Sequence, residues 1–283
     1  MIDQQELEQF IRLALYEDVR GGDYSSLAIL DKKTQGKARL LVKDEGVLCG
    51  MPAARKIFEM VDADLRVEEY IAEGNNIHYG DVAFHVYGSA ISILTAERLV
   101  LNCMQRMSGI ATKTQEYVKK IAGTSAKVID TRKTTPGIRF LEKYAVTVGG
   151  GANHRMGLYD MIMLKDNHID FCGGITKAVH KVRNYLQENN LSLRIEVETR
   201  NLDDVKEVLA CGGIDRIMLD NFTPEKVQEA VGLINNRYET EASGGITLET
   251  IRSYAETGVN FISVGALTHS VRSLDLSLKA EIG

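Results

Sequence analysis

Apolar residues recur at helical spacing between Gln4 and Asp18, where Leu7, Phe10, Ile11, Ala14 and Leu15 mark one face of a predicted amphipathic helix. Short strand-like runs follow at Ala38–Val42, Val47–Cys49, Leu65–Val67 and Val82–Val86, with glycines 46, 50, 74, 80 and 88 placed as turns. Ser92–Ala122 reads as one long helical stretch interrupted around Ser108-Gly109. The first third is α+β in pattern.

Beyond it, strand and helix patterns alternate. The predicted strands are Lys127–Asp130, Met161–Leu164, Leu193–Val197, Arg216–Leu219, Glu239–Ala242 and Asn260–Val264. Between most of them lie amphipathic stretches, Thr176–Gln187, Leu202–Ala210, Pro224–Ile234 and Leu248–Glu256. Asn201, Thr223 and Thr247 stand where helix N-caps belong. Such alternation implies a parallel sheet covered by helices, either doubly wound or a barrel.

The residues that follow each strand favour the barrel. Every exit carries charge or a glycine-rich turn: Asp130 to Gly137, Lys165 to His168, Glu196 to Glu198, Asp220-Asn221, Ser243 to Gly245 and Gly265-Ala266. A barrel gathers all such ends on the face where its chemistry sits, whereas a doubly wound sheet concentrates them at one switch point. The glycine-rich exits belong to the last two strand-helix units, a common place for a phosphate in barrels.

Overall composition changes this picture little. The chain has 283 residues, 44% hydrophobic and 26% charged, and is long enough for one large or two modest domains. A formal net charge of −5 argues against general nucleic-acid binding. The four cysteines, at 49, 103, 172 and 211, form neither a CxxC pair nor a zinc ligand set, and read as free thiols of a reducing compartment. The acidic, amphipathic start is unlike a signal peptide, and no window supplies the roughly 18 apolar residues of a membrane helix. These features suggest a soluble, cytoplasmic protein. GxGxxG, GxxxxGK[ST], HExxH and GxSxG motifs are all absent.

Local charge is more informative. Arg132, Lys133, Arg139, His154, Arg155, Lys165 and His168 crowd around the strand exits. Like charges about 4 Å apart cost roughly 4 kcal/mol per pair at an effective dielectric near 20, a penalty that a polyanion reverses. Arginine forks suit carboxylate and phosphate. Arg139 is expected to pair with a nearby acid instead. Glu198 and Asp220 bring acid to this basic surrounding, where they could hold Mg²⁺ on a diphosphate, bind ribose hydroxyls, or pair with Lys165 and Arg132. By alternation Glu196 and Glu198 share one side of their strand.

At these residues the sequence resembles the quinolinate phosphoribosyltransferases, also called nicotinate-nucleotide pyrophosphorylases (carboxylating). The likeness lies in Thr131-Arg132-Lys133-Thr134-Thr135-Pro136-Gly137, Lys143 to Val146 with Gly149-Gly150-Gly151, Asn153-His154-Arg155, Lys165-Asp166-Asn167-His168 and Glu196-Val197-Glu198. It continues in Leu219-Asp220-Asn221, Glu241 to Gly245 and Ser263 to Ser270, and reaches back to Glu97-Arg98 and Ser108 to Thr112. The resemblance implies a decarboxylating phosphoribosyltransferase of NAD biosynthesis, which converts quinolinate and phosphoribosyl pyrophosphate, with Mg²⁺, to nicotinate mononucleotide, pyrophosphate and CO₂. It implies an N-terminal α/β sandwich followed by an incomplete TIM-like α/β barrel of six or seven strands, and a homodimer with shared active sites. The corresponding division is 1–112 and 113–268, with the tail 269–283 packing back on the first domain.

By the same resemblance Arg98 would reach the partner's site. Thr131, Arg132, His154, Arg155 and Lys165 would bind quinolinate and phosphate oxygens, and Lys133 would face the diphosphate. Glu198 and Asp220 would hold ribose and Mg²⁺. Ser243, Gly244, Gly245, Gly265 and Ala266 would take the 5′-phosphate. Lys133, Lys165, Glu198 and Asp220 would be catalytic. Many phosphoribosyltransferases carry two adjacent acids and a Thr-Gly turn, but Val128 to Arg132 offers one acid and no such turn. The diphosphate site would therefore be built from strand exits.

Overall fold

The computed structural model describes residues 2–281. The chain opens with α1 (Gln4–Asp18), α2 (Tyr24–Ile29), β1 (Gln35–Val42), β2 (Gly46–Val47), α3 (Met51–Val61), β3 (Arg66–Glu69), β4 (Asn76–Ile77), β5 (Val82–Ser89) and α4 (Ala90–Lys120). It continues through β6 (Lys127–Ile129), α5 (Arg139–Val148), β7 (Ile162–Leu164), α6 (Asp166–Cys172), α7 (Ile175–Glu188), β8 (Ile195–Thr199) and α8 (Leu202–Cys211). Last come β9 (Arg216–Asp220), α9 (Pro224–Ile234), β10 (Glu239–Ser243), α10 (Ile251–Ala255), β11 (Phe261–Ser263), α11 (Ala266–His269) and β12 (Leu276–Ala280).

Contacts divide the described chain into two compact units. The first comprises the chain through Gln115, Thr134–Gly150, and the residues from Leu267 onward; the second comprises Glu116–Lys133 and Gly151–Ala266. A cut into 1–112 and 113–268 would place α5 with the barrel. Its side chains explain why it belongs elsewhere. Phe140 meets Phe10 of α1 edge to face at 6.2 Å, and buried Glu142 accepts two hydrogen bonds from Arg106 of α4, at 3.0 and 2.8 Å.

The first unit is built on an antiparallel sheet of order β12-β1-β5-β3. Alternation along β1 buries Ala38, Leu40 and Val42 on one face, and the register sets Leu40 between Phe84 and Leu278. Phe58 of α3 meets Phe84 edge to face at 5.9 Å, and both rings are buried. Phe84→Ala should therefore cost about 3–5 kcal/mol of stability. Chemical denaturation of the two proteins measures it.

The predicted break in the long helix does not occur: α4 is continuous. Gly109 instead allows another backbone to pass, since a Cβ there would lie 2.3 Å from the Arg272 carbonyl oxygen. Ser108 binds both backbone groups of Cys49, accepting from its N–H at 2.9 Å and donating to its carbonyl at 3.1 Å.

The second unit carries a six-stranded parallel sheet of order β6-β11-β10-β9-β8-β7. From β7 to β11 the strands follow chain order without reversal, and β6 takes the next place beyond β11. That winding is a barrel's, left incomplete because β6 and β7 stand at opposite ends of the pairing. Cap residues start the covering helices. The Asn201 side chain accepts from the Asp203 and Asp204 N–H groups at α8, and Thr223 accepts from the Lys226 N–H at α9. The helix expected from Leu248 starts later, at Ile251, because Thr247 to Thr250 close a separate turn.

Candidate active site

Strand register determines which side chains face the barrel interior. The pairing sets Glu196 opposite Arg216, Glu198 opposite Met218, Glu241 opposite Met218 and Ser243 opposite Asp220. Alternation then puts all of these on the inner face, while Val197, Ile217, Leu219 and Ala242 are buried on the other. β8 runs to Thr199, two residues past the predicted end, so Glu198 belongs to the strand rather than to a loop.

At the strand exits lies a cavity of about 590 Å³. Thr131, Arg132, Lys133, His154, Arg155, Lys165, Glu198, Asp220, Ser243, Gly244 and Gly245 all line it. Three residues to which the resemblance gives a binding role do not. Arg98 is exposed on α4, and Gly265 and Ala266 sit half-buried after β11, outside the lining. The lining adds Met163, Asp166, Met218, Asn221, Glu241 and Ser263. Alternation along β10 could have found Glu241, since it shares a face with Ser243.

The cations are held from behind. Asp130, fully buried at the end of β6, accepts from the His154 N–H at 2.8 Å and from the Asn153 side-chain amide at 2.5 Å. This fixes the segment that carries Arg155, whose guanidinium donates to the Met161 carbonyl at 3.1 Å. Burial and the nearby positive charge of Arg132 lower the Arg155 pKa from its ordinary value. Arg132 Nε is buried with no hydrogen-bond partner. Two guanidinium groups thus share one cavity and repel each other. Arg139 lies outside the lining and donates to the Thr134 hydroxyl at 2.9 Å.

The acidic side is equally ordered. Lys165 Nζ meets Glu198 Oε2 at 3.0 Å, and Lys165 is also the N-cap of α6, where its N–H donates to His168 Nδ1 at 3.0 Å. Burial and the Glu198 charge raise the Asp220 pKa, against the opposing effects of Lys165, Ser243 and Lys133. The two carboxylates therefore feel each other. Asn221, at a left-handed φ of 58°, donates its N–H to the Ser243 carbonyl at 2.8 Å and its side-chain amide to Asp220 at 2.6 Å. A Cβ on Gly244 would fall 2.2 Å from Asn221 Oδ1, and its φ of 98° disfavours any other residue. Gly244→Ala should displace Asn221 and, if this turn takes the phosphate as the resemblance implies, raise the KM for the phosphate-bearing substrate about tenfold or more, read in initial-rate kinetics.

Below the pocket the barrel interior is charged. His154 Nε2 lies 3.0 Å from Glu196 and 3.4 Å from Glu241. Arg216 meets Glu241 at 2.8 Å and Glu239 at 3.1 Å, and Arg194 also meets Glu239. Burial and the Glu241 charge push Glu196 up to about 7. Burial opposes the ionised form of Glu241 too, but His154 and Arg216 hold its pKa below the ordinary value. For His154, burial is outweighed by the two close glutamates, whose negative charge lifts the imidazole to about 9. The Arg155 N–H donates to Nδ1 at 2.6 Å, and that bond opposes a second proton on the ring; the arrangement observed is the imidazole with its one proton on Nε2, between the carboxylates.

Comparison with known proteins decides the family. The quinolinate phosphoribosyl transferase N-terminal domain matches residues 23–108, and the C-terminal domain of the same family matches residues 110–279. The chain belongs to the quinolinate phosphoribosyltransferase family. It is 46% identical to the mitochondrial quinolinate phosphoribosyltransferase [decarboxylating] 2b of Nicotiana tabacum, over 98% of this chain and 82% of that protein. It is 43% identical to the probable nicotinate-nucleotide pyrophosphorylase [carboxylating] of Bacillus subtilis, over 96% of this chain and 93% of the relative. The crystal structure of NadC from Streptococcus pyogenes superposes with a TM-score of 0.93 at 40% identity, covering 99% of this chain and 97% of that one. The incomplete barrel and the N-terminal sheet domain are the architecture of this family.

Proposed function

We propose that the protein transfers the phosphoribosyl group of phosphoribosyl pyrophosphate to the ring nitrogen of quinolinate, releasing pyrophosphate and CO₂ and leaving nicotinate mononucleotide. One observation carries this reading. Arg132 and Arg155 repel each other in a cavity that also holds Lys165, beside the acidic pair Glu198 and Asp220 and the glycine turn after β10. A small dicarboxylate satisfies the first group, and an activated sugar phosphate satisfies the second.

In this reading Arg132, Arg155 and Lys165 bind the two carboxylates and aim the pyridine nitrogen at C1 of the ribose. The bond from C1 to the diphosphate oxygen breaks as the nitrogen–carbon bond forms, and the oxocarbenium character at C1 is stabilised by a nearby carboxylate. The ring nitrogen is then positive and accepts the electron pair released when the 2-carboxylate leaves as CO₂. A proton fills the vacated carbon. No side chain acts as a nucleophile.

Glu198 and Asp220 suit Mg²⁺, since both offer hard oxygen donors and their mutual repulsion would be relieved by a cation between them. Mg²⁺ keeps several ligands from water and substrate, so two carboxylates suffice, and it would supply neutralisation of the diphosphate charge. Ser243 to Gly245 cradle the 5′-phosphate, with Gly265 and Ala266 following the neighbouring strand β11. Lys133 faces the diphosphate. The exposed Arg98 serves a partner's site in a homodimer. Among the described residues no helix is long and apolar enough to cross a membrane, and four free cysteines fit a reducing, cytoplasmic setting.

Supplying quinolinate and nicotinate in parallel with phosphoribosyl pyrophosphate tests the substrate. Pyrophosphate should appear with quinolinate and not with nicotinate, which lacks the second carboxylate. Equal use of both would overturn the reading.

A further inference from the structure

Barrel interiors are ordinarily filled by Val, Ile and Leu. Here the layer beneath the pocket contains Glu196 and Glu241, both fully buried, with His154 and Arg216 less than a tenth exposed. As a stabilising device this is a poor choice, because desolvating such groups cancels most of their mutual attraction. The network does, however, connect to the pocket, through His154 and Glu241 in its lining. Glu196 and Glu241 converge on one edge of the His154 ring, and the opposite edge receives the Arg155 N–H. Arg216 holds Glu241 in place through a 2.8 Å contact, with its guanidinium stacked 4.0 Å from the Phe261 ring centroid.

We propose that Glu196, Glu241 and Arg216 form a positioning unit under the pocket: the carboxylates fix the His154 ring, the ring fixes the Arg155 backbone, and the Arg155 guanidinium is thereby aimed at a carboxylate of the bound pyridine diacid. The proposal rests on the quinolinate reading of the pocket. Glu196 and Arg216 lie outside the cavity lining, and Glu241, which is in it, acts through the His154 ring. Their effect reaches the diacid through Arg155, whereas the sugar-phosphate side at the ends of the same two strands is held separately, by the Asn221 bonds to Ser243 and Asp220.

Charge alone and positioning have opposite consequences for Glu241→Gln. Removing a negative charge below a dianion site should tighten quinolinate by simple attraction. Loss of the ring's anchor should weaken it. Steady-state kinetics on purified Glu241→Gln, Arg216→Met and Arg216→Lys, with melting temperatures, separate the two. We expect the quinolinate KM of Glu241→Gln to rise about tenfold, with the KM for phosphoribosyl pyrophosphate changed less than about twofold and kcat falling less than KM rises. Arg216→Met should follow it, and Arg216→Lys, which keeps a cation against Glu241, should restore the quinolinate KM to within about threefold of the parent.

An unchanged or lower quinolinate KM in Glu241→Gln would overturn the proposal, as would a parallel rise in both KM values or a loss of activity that merely tracks loss of folded protein. If Glu241→Gln does not fold, the Arg216→Met and Arg216→Lys pair decides by the same criteria. A parent enzyme that turns over quinolinate while these KM values stay fixed removes the positioning unit alone. A parent enzyme that ignores quinolinate removes both readings.

Discussion

Arg155→Ala should lower kcat/KM for quinolinate about a thousandfold while leaving the protein folded. A guanidinium fork on a carboxylate makes two charge-assisted hydrogen bonds, each worth roughly 1.5–3 kcal/mol. Losing about 4 kcal/mol corresponds to a factor near a thousand at 1.4 kcal/mol per decade. Folding should suffer little, since the side chain is only half-buried and its removal relieves repulsion from Arg132. Initial rates at varied quinolinate, with circular dichroism on the same sample, measure both quantities. Retention of parental kcat/KM would place the carboxylate clamp elsewhere.

The second large effect is expected at Glu198. Glu198→Gln removes one of the two acids proposed to face the sugar-diphosphate and frees Lys165 from its 3.0 Å partner. The kcat should fall at least about a hundredfold, and the Mg²⁺ concentration giving half-maximal rate should rise. Lys165 is half exposed, so losing the ion pair should cost little stability. A titration of rate against Mg²⁺ reads both effects. Parental kcat with parental Mg²⁺ dependence would contradict the assignment.

The sequence disclosed the barrel because its strands are short apolar runs with polar exits, and those exits are where the structure places the cavity. Glu198 was visible as a charge but not as a strand residue, since a polar inner face breaks the apolar run that marks a strand. α5 escaped notice for a related reason. It begins at Arg139 behind Ile138, an N-cap residue with no side-chain cap, so nothing local announces a helix. Phe140 and Glu142 join it to α1 and α4, partners distant in sequence.

Gly109 shows the limit of local rules in the other direction. Glycine within a helical pattern suggests a break, yet here it admits the Arg272 backbone, a neighbour distant in sequence. The charged floor was the least legible feature. Glu196, Arg216 and Glu241 stand on three different strands, and only the register brings the two glutamates to His154 and Arg216 to Glu241. Sequence distance hides such partnerships, because each residue alone looks like an ordinary strand-end charge.

The most direct test of the whole account is the stoichiometry of the complete reaction. With quinolinate labelled in its 2-carboxylate, phosphoribosyl pyrophosphate and Mg²⁺, labelled CO₂ and pyrophosphate should be released in equal amounts, and omitting either substrate should abolish both. Pyrophosphate released without quinolinate, or without accompanying labelled CO₂, would contradict it.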